Sequence, residues 1–454
     1  MARPDLREAD RDILGEGWLS DEPYRNVEAM SEIGSRFGGT ESEKTAVKYM
    51  LAKMQEYGFE NVHTEEFTYT GWIRGTAGLG VTSPVTRQLD CIGLPHTGTF
   101  DVEGEVVNLG YGTPGEFESN ADRIKGRIVL VDAKSPSYFR RGIHRLEKYG
   151  RSVSSGAIGF IWMRDQGGHL AETGGLRAHC EIPGIGVTKE VGEGIKRLMS
   201  RGPVRVRIAT ENTVRDMPSW NVVGDIPGRT LKDHVVIIGA HFDGHDIATG
   251  SMDDASGAAV VMEAGRLLGR HRRLLRRTVR LICFPVEEIG LLGSFAYCRA
   301  HQGELDEFDF MLNLDGAGRD GDKGMALQGF TELIPFFKEV SRDMKWPMIC
   351  DNAFGMNSDM YPFSLEGVPS ASLSVMEVVR TGRDYGHTAA DTLDKVSSKW
   401  LRHDSLLVAR TMLRMAAWED VPVRHKVKDE IKKIMHDAGL LEVLRYTGRY
   451  PFKD

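Results

Sequence analysis

The stretch HFDGHDIATGSMDDASGAA, His241 to Ala259, puts two histidines and four aspartates into fourteen residues and then turns to small apolar ones. A polar surface turn would look like this. So would a metal site whose last ligand sits at the mouth of a helix. The flanking segments bear on the choice. HVVIIGA, just before, is a short and nearly continuous apolar run, the pattern of a strand buried on both faces. ASGAAVVMEAGRLLGR follows, with Val260, Ala264, Leu267 and Leu268 on one helical face. TVRLICFPV is the next expected strand, LLGSFAYCRAHQ a helix and FDFMLNL another strand. A further helix and the strand SASLSV complete the series. Strands alternating with helices predict an α/β fold, a mostly parallel mixed sheet flanked by helices.

The polar residues fall on one edge of that sheet. His241 and Asp243 lie just past HVVIIGA, Glu287 and Glu288 past TVRLICFPV, and Asp315 ends FDFMLNLD. Asp253 and Asp254 precede the helix that leaves the first strand. The carboxyl edge of an open α/β sheet is where ligands bind. Zinc takes imidazole nitrogen and carboxylate oxygen at about 2.0–2.2 Å. Two zinc ions about 3.5–4 Å apart can share one carboxylate and one water. Such a pair needs a bridging acid, a histidine and an acid for each ion, and a separate base. His241, Asp253, Glu288 and Asp315 supply four of the five ligands. His387, in YGHTAADTLDKV after the last expected strand, supplies the fifth. In VEEIG one carboxylate can bind metal while its neighbour moves a proton. Asp243 is spaced to hydrogen-bond the outer nitrogen of a metal-bound histidine.

The 454 residues exceed one ordinary core, so several domains are expected. Residues 1–20 read as an N-terminal extension. Residues 21–88 read as the first part of a catalytic domain, helical to about Tyr57 with a glycine-rich break at IGSRFGGTESE. There Thr40 and Glu43 have capping-box spacing, and FENVHTEEFTYTGW then alternates like a strand. Residues 89–212 read as an inserted β-rich unit, with short runs such as GRIVLVD and AIGFIWM between glycine-rich turns. Residues 213–420 read as the second catalytic part. Residues 421–454 read as a C-terminal helical extension, with Val427, Ile431, Ile434 and Met435 as an apolar stripe packed on the body.

A net charge of −7, from 58 basic and 65 acidic residues, gives no reason to expect nucleic acid. The basic run GRHRRLLRRTVR follows a helix, whose dipole it complements. No stretch approaches the ~20 apolar residues of a membrane span, and the charged N-terminus lacks the apolar centre of a secretory signal. Five cysteines without a CxxC suggest neither a disulfide framework nor a zinc ribbon. They read as buried, inert thiols, and a cytoplasmic location fits.

HFD, MDDASGAA with its first aspartate twelve residues after the histidine, PVEEIGLLGS, NLDGAG, SDMYPF, GVPSASL and YGHTAADT, in that order, resemble metallopeptidase family 28, the co-catalytic di-zinc exopeptidases. KGRIVLVD, SGAIGFI and IPGIGV resemble the protease-associated domain inserted in many members. The HFDGHDIATGSMDDASGA segment is similar to the plasma glutamate carboxypeptidase branch. The resemblance implies the zinc-exopeptidase, phosphorylase/hydrolase-like fold and two zinc ions. His241, Asp253 and Asp315 would bind one; Glu288, His387 and the shared Asp253 the other. Glu287 would be the general base, with Asp243 orienting His241, and the bond between Asp253 and Asp254 would be cis. Cobalt or manganese would suit the same ligands. The family's SDH motif is SDM here, Ser358 to Met360, which changes a side chain near the substrate.

Other residues read blandly. His234 and His245 read as structural or solvated, and Asp246 and Asp254 as loop and helix-cap residues. Asp391 orients a histidine or caps a helix; Asp359 holds a substrate amine or sits in a turn. GYGTPG, Gly110 to Gly115, matches GxGxxG, but Pro114 in β-rich surroundings fits a turn rather than a dinucleotide site. The expected substrate is a peptide or dipeptide, with aminopeptidase action favoured over carboxypeptidase or dipeptidase action. An inactive receptor-like scaffold is the non-enzyme alternative; it would have lost ligands or the base. The twelve-residue spacing from His241 to Asp253 argues against the aminoacylase group of the same fold, and the full ligand set argues against a one-zinc glutaminyl cyclase. The insertion and the C-terminal helix are candidate contact surfaces for a homodimer.

Overall fold

A computed structural model describes residues 3–139, 141–375 and 382–452. Four parallel strands form its centre, in the order Arg277–Phe284, Leu231–His241, Phe308–Asn313 and Ser370–Val375. Lys323–Ala326 pairs antiparallel to the last of these and leads to Ile349–Asp351. On the other side Arg205–Ile226 runs antiparallel to Arg277–Phe284. The parallel register sets His241 opposite Phe284 and Gly239 opposite Asn313. The loops leaving these three strands therefore open side by side.

FENVHTEEFTYTGW is part of a much longer strand, Glu60–Ser83, paired along most of its length with Arg205–Ile226. This ribbon runs from the main body into the inserted unit. There Phe100–Asn108, Ile128–Asp132, Gly159–Met163 and Gly184–Val187 lie side by side and parallel. The insertion also has helices, Arg145–Ser154 and Lys189–Met199, so it is not purely β. The GYGTPG segment departs from the expected turn. Pro114 is the first residue of a short helix, Pro114–Ser119, with Thr113 and Glu116 in a capping box. Proline suits that position because its missing N–H has no helical partner there.

The helix Ser256–Gly269 is buried nearly all round, beyond the single face expected. It lies between the sheet, helix Ser398–Ala417 and the N-terminal helices, so an apolar surface on every side is needed. The segment expected as an N-terminal extension is part of this packing. Helix Arg7–Leu19 buries Ala9 and Ile13 against it, and Asp10 accepts hydrogen bonds from Arg410 (2.8 Å) and Arg414 (2.6 Å). Thr40 caps helix Glu41–Glu56 as its spacing predicts, but the Glu43 carboxylate turns to Gly39 N–H (2.6 Å) and the Ser219 hydroxyl.

At the other end, helix Lys428–Asp437 buries Ile431 and Met435 and packs Ile434 at their edge. Val427 leaves the stripe: it is the residue before the helix and is 65% exposed. The basic run ends its helix as the dipole argument expects, Arg272 donating to Gly269 O at 3.2 Å. Its later members meet carboxylates, Arg277 with Asp309 at 2.5 Å and Arg280 with Asp225 at 2.8 Å. Of the cysteines only Cys283 and Cys298 are buried; Cys91, Cys180 and Cys350 are partly exposed. No helix among the described residues is long and apolar enough to cross a membrane.

Removing one member of a buried ion pair strands the others, at a cost of about 3–5 kcal/mol. Asp10→Ala should therefore lower the unfolding free energy by an amount in that range, read as a lower denaturant midpoint with the slope unchanged. An exposed control, Asp5→Ala, should shift it by less than about 0.5 kcal/mol.

Candidate metal centre

The three adjacent strand ends bring the acids and histidines together. His241 is the last residue of its strand, Glu287 and Glu288 lie three and four residues past Phe284, and Asp315 lies two past Asn313. Asp253 sits in the turn Ser251–Ala255 that opens helix Ser256–Gly269, and its bond to Asp254 is cis, as the resemblance implies. Small residues let this helix mouth approach the strands. A Cβ on Gly257 would stand 2.4 Å from Leu314 O and 2.2 Å from the Asp254 carboxylate.

The ligating atoms form two groups. One oxygen or nitrogen from each of His241, Asp253 and Asp315 lies within 4.8 Å of the others, and the same holds for His245, Glu288 and His387. Asp253 stands between the groups. Its Oδ1 is 3.5 Å from His241 Nε2 and its Oδ2 is 3.3 Å from His387 Nε2. His387 Nε2 is also 3.2 Å from Glu288 Oε2. All five residues expected as ligands thus meet at one place, joined by His245, which sequence reasoning set aside.

Hydrogen bonds behind the groups set the tautomers. His241 Nδ1 faces Asp243 O at 3.1 Å, so that nitrogen donates its N–H and Nε2 is the atom directed toward Asp253. His387 Nδ1 faces Thr173 O at 3.3 Å, and Thr173 N–H donates to His387 O at 2.8 Å. Thr173 belongs to the inserted unit, so the insertion orients one of the histidines. Its part is played by backbone atoms, which leave no mark in a sequence.

The Asp243 side chain reaches three groups. Its Oδ1 lies 3.4 Å from His241 Nδ1, and its carboxylate also accepts from Glu287 N–H (3.1 Å) and Glu288 N–H (3.4 Å). One side chain therefore ties the first strand's loop to the second's. Asp391 acts on the first turn of the segment Ser251–Ala255. It accepts from the N–H groups of Met252 (2.8 Å) and Asp253 (3.1 Å), fixing the backbone of the central aspartate. Asp254 caps the helix through Gly257 N–H (2.9 Å) and holds the Asp315 loop through Gly316 N–H (2.8 Å). Asp246 pairs with Arg74 at 2.6 Å, and His234 with Asp309 at 2.9 Å, both outside the two groups. Asp359 is fully buried, taking the Ser294 hydroxyl at 2.6 Å, and sits in the expected turn, just before helix Met360–Leu365.

Arg36 was not anticipated. It is buried and donates to the carbonyls of Phe242 (2.6 Å), Thr249 (2.5 Å) and Gly250 (2.8 Å), closing the loop between the first strand and Asp253. Burial lowers its pKa to about 10, with Asp243 and Asp391 opposing, so it stays charged at neutral pH. The only hint was an arginine inside the glycine-rich break IGSRFGG.

Glu287 and Glu288 carry the electrostatic signature of the site. Burial pushes both carboxyls well above the ordinary range. His241 opposes the rise, while Asp315 and Asp243 add to it. A divalent cation reverses this logic by stabilising the ionised forms. The donors fit such an ion: imidazole nitrogen and carboxylate oxygen are what zinc takes, and the buried Glu288 Oε1 has no hydrogen-bond partner. A cavity of about 650 Å³ opens onto Glu287, Glu288, Asp315 and His387. Its far wall comes from the insertion and from the C-terminal segment, including Arg145 and Arg449.

Residues 221–412 match the model for peptidase family M28, and residues 102–195 match the PA domain. Carboxypeptidase Q of Xenopus laevis is 26% identical over 383 residues, covering 81% of this chain and 80% of that protein. Aminopeptidase YwaD of Bacillus subtilis is 24% identical over 430 residues, covering 91% and 89%. A peptidase M28 precursor from Shewanella amazonensis, known by crystal structure, superposes with a TM-score of 0.77 at 27% identity, over 92% of this chain and 99% of its own. A zinc aminopeptidase from Bacillus subtilis shares the fold, with a TM-score of 0.68 at 22% identity, over 89% and 99%.

Loss of a carboxylate that orients a metal-bound histidine typically costs about 10–100-fold in metal affinity. Asp243→Ala should show a loss of that size in chelator competition, with the far-ultraviolet circular dichroism of the wild type. Unchanged affinity would mean that Asp243 holds the loops but does not tune His241.

Proposed function

Because this chain carries the peptidase domain of family M28 and is a metallo-exopeptidase, we propose that it removes a terminal residue from short peptides, using a pair of zinc ions and Glu287 as general base. The observation that carries this reading is the position of Asp253, one oxygen toward His241 and the other toward His387. His241 and Asp315 would complete one metal position, and Glu288 and His387 the other. Cobalt or manganese would fit the same donors.

When bound, the metal pair would polarise the scissile carbonyl and lower the pKa of a water at the site. The chain's own residues supply the rest. Glu287 lines the cavity beside both groups and is the carboxylate left over once Glu288 is a ligand. It takes the proton from the attacking water and delivers it to the leaving amine. Asp243 holds the Glu287 backbone and the His241 ring in one frame, so base and ligand keep their spacing. The insertion and the C-terminal segment close the cavity and leave room for a short substrate.

Release of the amino-terminal residue is the favoured reaction, supported by aminopeptidases among the relatives. A second reading, hydrolysis of dipeptides with a free carboxylate, is favoured by Arg145 and Arg449 in the wall that faces Glu287. An arginine can hold a carboxylate through two parallel hydrogen bonds.

Purified protein should contain two metal ions per chain and lose hydrolysis of amino-acid anilides and dipeptides on chelation. Glu287→Gln should keep both ions and lower kcat by about 10²–10⁴-fold, the usual worth of a general base. Turnover unchanged in that variant would remove Glu287 from the mechanism. Arg449→Ala should raise KM for a dipeptide and leave KM for its carboxamide unchanged. Equal effects on both would set the dipeptide reading aside.

A further inference from the structure

His245 is 3% exposed, and neither of its ring nitrogens has a hydrogen-bond partner. A buried polar atom left unsatisfied costs about 1–3 kcal/mol, so a structural histidine would be expected to have found a donor or acceptor. Its Nε2 lies 2.9 Å from Glu288 Oε2, yet the two are not aligned as a hydrogen bond. Two atoms that approach each other without bonding, beside His387, are arranged as donors around a common point. The His245 ring stands edge-on to the His387 ring, with centroids 4.6 Å apart.

The placement is enforced from both sides. Before His245, Gly244 N–H donates to Ser35 O at 2.9 Å, and the loop doubles back so tightly that a Cβ on Gly244 would stand 2.8 Å from the Gly250 Cα. After it, Asp246 is held by both ends of the Arg74 guanidinium, at 2.6 and 2.7 Å. Arg36 grips the carbonyls at the two ends of the loop. The imidazole is thereby directed inward and held there.

We infer that His245 is an additional ligand of the second metal position, which then has four protein ligands: His245, Glu288, His387 and one oxygen of Asp253. The inference rests on the two-metal reading above. The pair would then be unequal. The position of His241, Asp253 and Asp315 would exchange its ion more readily, and the position of His245 would hold its ion more tightly.

The test uses the full-length protein loaded with Zn²⁺ or Co²⁺. Chelator challenge of the wild type should release two ions per chain in two phases, one at least tenfold slower. His245→Ala should lose the slow phase and weaken one site at least tenfold, while His234→Ala changes neither. His245→Cys gives a direct readout. A thiolate touching cobalt produces a near-ultraviolet charge-transfer band, absent from the wild type, and should restore slow release. Two ions leaving His245→Ala with wild-type kinetics, or no such band in a folded His245→Cys protein, would overturn the inference and leave the two-metal reading intact. Fewer than two ions in the wild type would overturn that reading and this one with it.

Discussion

The buried carboxylates at one edge of the central sheet are the constraint on which the rest depends. Asp253, Glu287, Glu288 and Asp315 converge where the strands end, and burial, with the neighbouring carboxylates, drives Glu287 and Glu288 toward the neutral form. Such a gathering of acids costs stability unless cations compensate it. Every nearby feature serves to hold the acids and imidazoles facing inward in spite of this. Asp243 ties two loops, Asp391 holds the backbone of Asp253, and Arg36 closes the loop between them.

The inserted unit is bound into the same arrangement. Glu60–Ser83 and Arg205–Ile226 carry paired strands continuously from the body into it. Thr173 then returns to the site and receives His387 through both backbone groups. The insertion thus shares in the candidate metal centre and also forms a wall of the cavity. A substitution that shifts it would act on metal binding before reaching any substrate contact.

The two chain ends play comparable parts. Helix Arg7–Leu19 covers the helix that begins beside Asp253, pinned there by Asp10 and two arginines. The C-terminal segment reaches the opposite wall, where Leu440, Val443, Thr447 and Arg449 line the cavity. Segments that a linear reading places outside the catalytic unit therefore support its core and shape the space for substrate.

By itself the sequence determined the sheet, its carboxyl edge, and five of the acids and histidines that meet there. Those features follow from local patterns: an apolar run makes a buried strand, and the residues just past it emerge at its end. His241, Asp253, Glu288, Asp315 and His387 were legible for that reason, as was the part of Asp243, two residues from its histidine. The tertiary structure decided what depends on distant partners. His245 looked like any loop histidine until the tight turn at Gly244 set it beside Glu288, 43 positions later in the chain. Arg36 and Thr173 act on backbone carbonyls and amides, which have no residue identity to match. Asp391 and Arg449 reach the site only after the chain has crossed the whole sheet. A side chain's neighbours along the strand are written in its pattern; its neighbours across the cavity are set by packing.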